Sequence, residues 1–155
     1  MKYALDTNVF IDGFRKEEAQ AELFAFLNRA LPFTCLSAVV MQELAAGART
    51  VEAARELQQT VFAPFQRRRR VFAPSAAAFV ESGRMLAGVA RAEGWQAVDE
   101  NPSLLNDALI AVSCREQGIT LITKDTDFKR LAPFVRGFRY SAPWPTATTS
   151  LSETE

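Results

Sequence analysis

Apolar and polar positions fall in blocks along this chain, and the blocks switch between short β-like runs and helical spacing. The run Met1-Lys2-Tyr3-Ala4-Leu5 breaks on Asp6-Thr7-Asn8 and resumes at Val9-Phe10-Ile11. The first part predicts a strand, and the second a short helical turn that ends near Asp12-Gly13. From Glu17, Ala21, Phe24, Ala25 and Leu27 recur at helical spacing, with acids early and Arg29 late, until Pro32 ends the helix. Phe33-Thr34-Cys35-Leu36 predicts a second strand, and Ser37 caps a helix over 38–46 that Gly47 stops.

A longer helix is expected over 51–65, kinked or ended near Pro64, and is followed by Arg67, Arg68, Arg69 and Arg70. Val71-Phe72 predicts a short strand. Pro74-Ser75 opens a helix over 76–93, which Gly94 closes. Residues 95–100 are polar and irregular. Asn101-Pro102 starts a helix with Pro at the first helical position, and 103–116 is apolar on most sides until Gly118. The β-branched run Ile119-Thr120-Leu121-Ile122 predicts a strand that stops at Thr123-Lys124-Asp125-Thr126-Asp127. A short helix over 128–131 and an edge strand at Phe138-Arg139-Tyr140 complete the pattern. From Ser141 the chain is rich in Pro, Ser and Thr, which predicts a mobile tail over 141–155. No repeat or linker interrupts this order. Strands alternating with helices predict one α/β domain, residues 1–140, around a parallel sheet.

Composition narrows the chemistry. The 155 residues suit one domain with a proper core, and 48% are hydrophobic. Eighteen basic and 18 acidic side chains cancel, so any basic footprint for nucleic acid must be local. Asp6 interrupts the first apolar run too soon for a signal peptide, and no run approaches the roughly 20 residues that span a bilayer. A cytoplasmic protein without membrane association is expected, with Cys35 and Cys114 as buried thiols. Histidine is absent, which removes Ser-His-Asp and Cys-His chemistry and most zinc sites. Carboxylates must carry any reaction.

Four acids stand where a surface acid would not. Asp6 ends the first strand, and Asp125 follows the strand 119–122 by three residues. Glu43 has Val39, Val40, Ala46 and Gly47 three and four positions away, and Asp107 has Ser103, Leu104, Ile110 and Ala111. Each has an ordinary reading: a helix cap for Asp6, an ion pair with Arg49 for Glu43, a first-turn acid on the helix dipole for Asp107, and a turn residue for Asp125 and Asp127. Taken together they form a convergent carboxylate set. Two carboxylates about 4 Å apart repel by roughly 4 kcal/mol at a surface-like dielectric. Several together call for a cation, and all-oxygen ligands point to Mg²⁺ or Mn²⁺.

These four segments, Leu5-Asp6-Thr7-Asn8-Val9-Phe10-Ile11-Asp12, Gln42-Glu43-Leu44, Asn106-Asp107-Ala108-Leu109-Ile110-Ala111 and Leu121-Ile122-Thr123-Lys124-Asp125-Thr126-Asp127-Phe128, resemble the four motifs of PIN-domain ribonucleases, in order. Within that superfamily the chain is most similar to the VapC toxins of toxin–antitoxin pairs. The resemblance implies a three-layer α/β/α fold with a central parallel sheet of about four or five strands. It implies a Mg²⁺- or Mn²⁺-dependent endoribonuclease, a homodimer, inhibited by a small antitoxin. Asp6, Glu43, Asp107 and Asp125 carry over as catalytic and metal-binding acids, with Asp127 as a variable fifth. Thr7 or Asn8 then supports the first acid, and Thr123 holds a water or the scissile phosphate. A water activated on the metal would leave a 5′-phosphate and a 3′-hydroxyl.

An acidic pocket repels RNA, so phosphates need basic residues around it. Arg67 to Arg70 and Lys124 are the candidates for RNA binding, with Arg15, Lys16 and Arg49 nearer the motifs. Arginines closing a helix on its dipole are the ordinary reading of that run. A haloacid-dehalogenase-like phosphatase would need an Asp at position 8, which is Asn. A receiver domain would need paired acids after the first strand. A PIN nuclease of RNA processing and a non-catalytic PIN-like interaction module stay open.

Overall fold

The computed structural model describes residues 1–145. Five parallel strands, β1 (Lys2–Leu5), β2 (Thr34–Ser37), β3 (Val71–Phe72), β4 (Ile119–Ile122) and β5 (Arg139–Ser141), form one sheet in the order β3-β2-β1-β4-β5. The chain first steps outward from β1 to β3 and then crosses back to β4 and β5. Parallel crossovers are right-handed, so the reversal puts the helices of residues 7–67 on one face and those of residues 76–131 on the other. This is a three-layer α/β/α arrangement. Its switch point lies between β1 and β4, which pair from Lys2↔Ile119 to Leu5↔Ile122. In such sheets the crevice beyond the carboxyl ends at the switch point is the natural ligand site.

On the first face lie α1 (Thr7–Arg15), α2 (Glu17–Ala30), α3 (Ala38–Gly47), α4 (Val51–Leu57) and α5 (Ala63–Arg67). The helix α1 runs past the turn expected near Gly13. Gly13 is buried, and a Cβ there would lie 2.6 Å from Leu23 Cδ2. This glycine lets α1 and α2 approach each other closely; it does not end a helix. The helix expected over 51–65 is interrupted by a π turn at Gln58–Phe62, just before Pro64. Proline lacks an N–H and crowds the carbonyl four residues back, so the turn widens. Helix then continues to Arg67.

On the second face, α6 (Ala76–Glu93) and α8 (Leu104–Gln117) run antiparallel, joined by the short α7 (Gln96–Asp99). Residues 95–100, expected to be irregular, therefore contain a helical turn. The helix α8 begins at Leu104, two residues after Pro102, which sits in the turn before it. Far from the acids, Arg115 bonds Glu81 (2.7 and 2.5 Å) and Ser75 donates to Glu116 (2.6 Å). At the other end, Arg130 of α9 (Asp127–Leu131) holds Glu93 at 2.5 Å.

Leu5, Phe10, Leu36, Val40, Ile110, Leu121, Ile122 and Phe128 pack between the layers and exclude solvent. Cys114 is buried, Cys35 is partly buried, and both are free thiols. The segment expected to be a tail from Ser141 begins inside β5. Trp144 then stacks on Phe26 at 4.8 Å and donates to Glu22 at 3.2 Å. Residues 146–155 of that segment lie outside the described residues.

Candidate metal centre

Asp6 stands one residue past β1 and extends the ladder, its N–H donating to Ile122 O at 2.9 Å. Its carboxylate does two jobs. Oδ1 accepts from the Thr7 N–H at 2.8 Å and caps α1, while Oδ2 accepts from Thr123 Oγ1 (2.6 Å) and Asn8 Nδ2 (3.0 Å). The side chain is 4% exposed. Burial pushes its pKa up to about 6, with Glu43 and Asp125 adding repulsion and the bonds from Thr123 and Thr7 opposing the rise.

Glu43 reaches the same place from α3. One of its oxygens accepts the Thr7 hydroxyl, and the other accepts Asn106 Nδ2 at 3.1 Å. The Thr7 side chain thus supports the second acid, while Asn8 supports the first. Asn106 precedes Asp107 on α8, so adjacent residues supply an acid and the donor that holds another acid.

Asp107 is 6% exposed. Its Oδ2 is buried with no hydrogen-bond partner among the described residues. Burial, then the charges of Asp6, Asp125, Glu43 and Asp127, push its pKa up to about 8. A buried acceptor without a donor costs about 1–3 kcal/mol, so this oxygen stands out in an otherwise bonded interior.

Asp125 and Asp127 come from the turn after β4. Asp125 N–H donates to Thr123 Oγ1 (2.9 Å), and Asp125 Oδ1 accepts the Asp127 N–H (2.8 Å) at the start of α9. Asp127 Oδ2 faces Asn101 Nδ2 at 3.4 Å. Carboxylate oxygens of Asp107, Asp125 and Asp127 lie within 4.8 Å of one another. The donor set is all oxygen, half-buried and crowded with like charge, with one oxygen bare. It fits a hard divalent cation such as Mg²⁺ or Mn²⁺.

The basic candidates are bonded to other groups or lie away from the acids. Lys124 lies beside the cluster, but its Nζ bonds Asp12 Oδ2 at 2.6 Å, and its N–H donates to Asn8 Oδ1 at 3.2 Å. Lys124 holds the Asp12 carboxyl below its ordinary range. Arg67 to Arg70 lead into the amino end of β3, whereas the acids lie beyond the carboxyl ends of β1 and β4. Within the run, Arg69 N–H and Arg70 N–H donate to Gln66 O (3.0 Å) and Phe65 O (2.9 Å), and Arg68 Nη1 donates to Pro64 O (3.1 Å), closing α5. Asn101, expected only as a helix start, and Asn106, expected only as the neighbour of Asp107, are donors facing Asp127 and Glu43. Their position next to acid-bearing segments was the only signal available.

The PIN domain model matches residues 3–133. No curated protein sequence matches the chain. Among solved structures, a chain of the DNA-bound VapBC complex from Salmonella typhimurium is 22% identical, with TM-score 0.67, covering 92% of this chain and 98% of that one. FitAcB from Neisseria gonorrhoeae gives 21% identity and TM-score 0.66 over 93% and 99%. VapBC2 from Rickettsia felis, bound to a promoter DNA fragment, gives 19% and 0.60 over 94% and 100%. At these identities the likeness is one of fold. The family match runs from β1 to just beyond α9 and takes in Asp107, Asp125 and Asp127 together with the neighbouring Asp6 and Glu43, and the chain belongs to the PIN-domain family.

Proposed function

We propose that this protein is a divalent-metal-dependent endoribonuclease and the toxin of a toxin–antitoxin pair. The observation that carries the reading is the bare, buried Asp107 oxygen amid the carboxylates of Asp6, Glu43, Asp125 and Asp127. Asp6, Glu43, Asp107 and Asp125 would hold Mg²⁺ or Mn²⁺, with Asp127 as an accessory. When bound, the ion supplies an acidified water and neutralises charge on the phosphate. The chain's part is to keep the carboxylates aimed and partly dry. Thr123 and Asn8 fix Asp6, Thr7 and Asn106 fix Glu43, and the Asp127 N–H fixes Asp125. Lys124 would add charge for RNA only from outside this shell, and the Arg67–Arg70 run, at the other end of the sheet, would add none.

An antitoxin helix would bind in an apolar groove. Ile11, Phe14, Leu44 and Leu57 line a groove of about 390 Å³ between α1, α3 and α4, with Arg15 and Glu56 among its polar residues. Phe14 is 50% exposed there. Such a groove suits an amphipathic helix. Exposed Phe79 and Val80 on α6 offer apolar surface to a second copy in a homodimer.

The test is RNA cleavage by the purified chain with Mg²⁺ or Mn²⁺ and with EDTA, alongside folded Asp6→Asn and Asp107→Asn. EDTA and either substitution should abolish cleavage, and full activity in either variant overturns the assignment. Growth arrest on expression, relieved by co-expressing a small reading frame if one is found beside the gene, tests the toxin role.

A further inference from the structure

The segment joining α6 to α8 carries an exposed aromatic ring at the acid end of the molecule. Trp95 is 65% exposed, and among the described residues its indole makes no hydrogen bond and no aromatic contact. The other tryptophan, Trp144, is stacked and bonded. The position of Trp95 is fixed from both sides. Glu93, two residues before it, is held by Arg130 at 2.5 Å, and Asn101, six residues after it, faces Asp127 at 3.4 Å. Both anchors sit on α9, whose first residue belongs to the acid cluster. Between them, the Val98 and Asp99 N–H groups donate to Trp95 O at 3.1 and 3.0 Å, so the backbone under the ring is a closed turn.

We propose that Trp95 is a stacking platform for an unpaired base of the RNA whose phosphate enters the acid cluster. The proposal rests on the nuclease reading above. A carboxylate cluster repels the backbone it is to cleave and cannot read a base, so grip on a single strand must come from beside it. Every base has a π face, and an exposed indole on a hydrogen-bonded backbone turn binds one without needing a basic surface. This suits a chain of zero net charge whose nearby Lys124 and Arg130 are already paired with acids. It also implies a preference for single strands over duplex, because a paired base cannot leave its stack for the ring.

The test uses the full chain with Trp144→Phe, which leaves Trp95 as its only indole. The probe is an eight-nucleotide oligoadenylate in Ca²⁺, with its intactness checked on a gel. Trp95 fluorescence should be quenched by the single strand and much less by a duplex of the same length. In anisotropy titrations with labelled oligoadenylate, Trp95→Ala should bind about tenfold more weakly, while Trp95→Tyr stays within about twofold. Equal quenching by single strand and duplex, no quenching, or unchanged affinity in Trp95→Ala overturns the proposal. So does a dimer that becomes monomeric by light scattering in Trp95→Ala, which would make the ring a subunit contact. Quenching without metal-dependent cleavage would sink the nuclease reading and leave the platform standing; cleavage without quenching would do the reverse.

Discussion

Replacing Asp107 with asparagine measures what the acid cluster costs the fold when metal is withheld. In the folded chain the Asp107 pKa is pushed up to about 8 from an ordinary 3.8. The unfolded chain ionises the same group near pH 4. Between about pH 4 and pH 8 the folded state therefore holds the extra proton, and stability falls as pH rises until it levels off above about 8. At about 1.4 kcal/mol per unit, a span of roughly four units sets a ceiling of about 5–6 kcal/mol. Relaxation around the cluster brings the expected loss to about 2–4 kcal/mol, or roughly 5–15 °C in a domain of this size. In EDTA, Asp107→Asn should melt higher than the parent by that amount at pH 8 and close to it at pH 4. The variant keeps a smaller fall between about pH 4 and 6, because Asp6 is raised to about 6. Mn²⁺ needs the ionised carboxylate, so it should stabilise the parent increasingly above pH 6 and the variant far less. Circular-dichroism melts from pH 4 to 8.5, with EDTA and with Mn²⁺, read all of this. A variant melting below the parent at pH 8 in EDTA, or slopes that run parallel, would refute the reasoning.

Three further outcomes are expected. Thr7→Val removes the hydroxyl that holds Glu43 and should weaken Mn²⁺ binding about tenfold in calorimetric titration, while Thr7→Ser restores it; equal affinities would clear Thr7 of that role. Arg69 has φ 52° at the end of α5, a conformation that costs a side-chain-bearing residue about 1 kcal/mol. Arg69→Gly should raise the urea midpoint accordingly, and a lowered midpoint would show that the arginine side chain stabilises the turn. Replacing Arg67 and Arg68 with alanine should leave the salt dependence of RNA binding unchanged, because the run lies at the end of the sheet away from the acids. A flatter slope would place RNA there.

The fold was legible wherever burial imposes a period. Each expected strand appears within a residue or two, and Ser37, Ser75, Gly94 and Gly118 punctuate their helices as expected. The misses share a cause, which is that one residue type serves two local purposes. Gly13 looks like a stop, yet its missing Cβ is needed 2.6 Å from Leu23, a neighbour known only once α1 and α2 are packed. Pro102 looks like a first helical residue but sits in the turn before α8. For 141–145 a Pro- and Ser-containing composition suggests the start of a tail, but composition cannot weigh a single anchor such as Trp144 on Phe26.

The site was legible for the opposite reason: its acids break the pattern. An acid on an apolar helix face or past a strand end contradicts the burial around it, and four such contradictions need a common cause. In the structure Asp6 and Asp125 leave adjacent strands at the β1/β4 switch point, and α3 and α8 bring Glu43 and Asp107 close enough for their charges to act on one another. The donors that aim these acids could not be read in the same way. Thr7, Asn101 and Asn106 are polar residues beside polar residues, ordinary in any turn or first helical turn, and only tertiary contact assigns each to a carboxylate from another segment. Asp6 joins both kinds of evidence. One oxygen caps α1 as its sequence neighbours suggest, and the other is held by Asn8 and by Thr123, 117 residues away. A residue whose local role is already satisfied has no local need of the second bond. The Thr123 bond ties the carboxylate to the turn that carries Asp125, and the proposal of Asp6 as a ligand draws on that link independently of the cap.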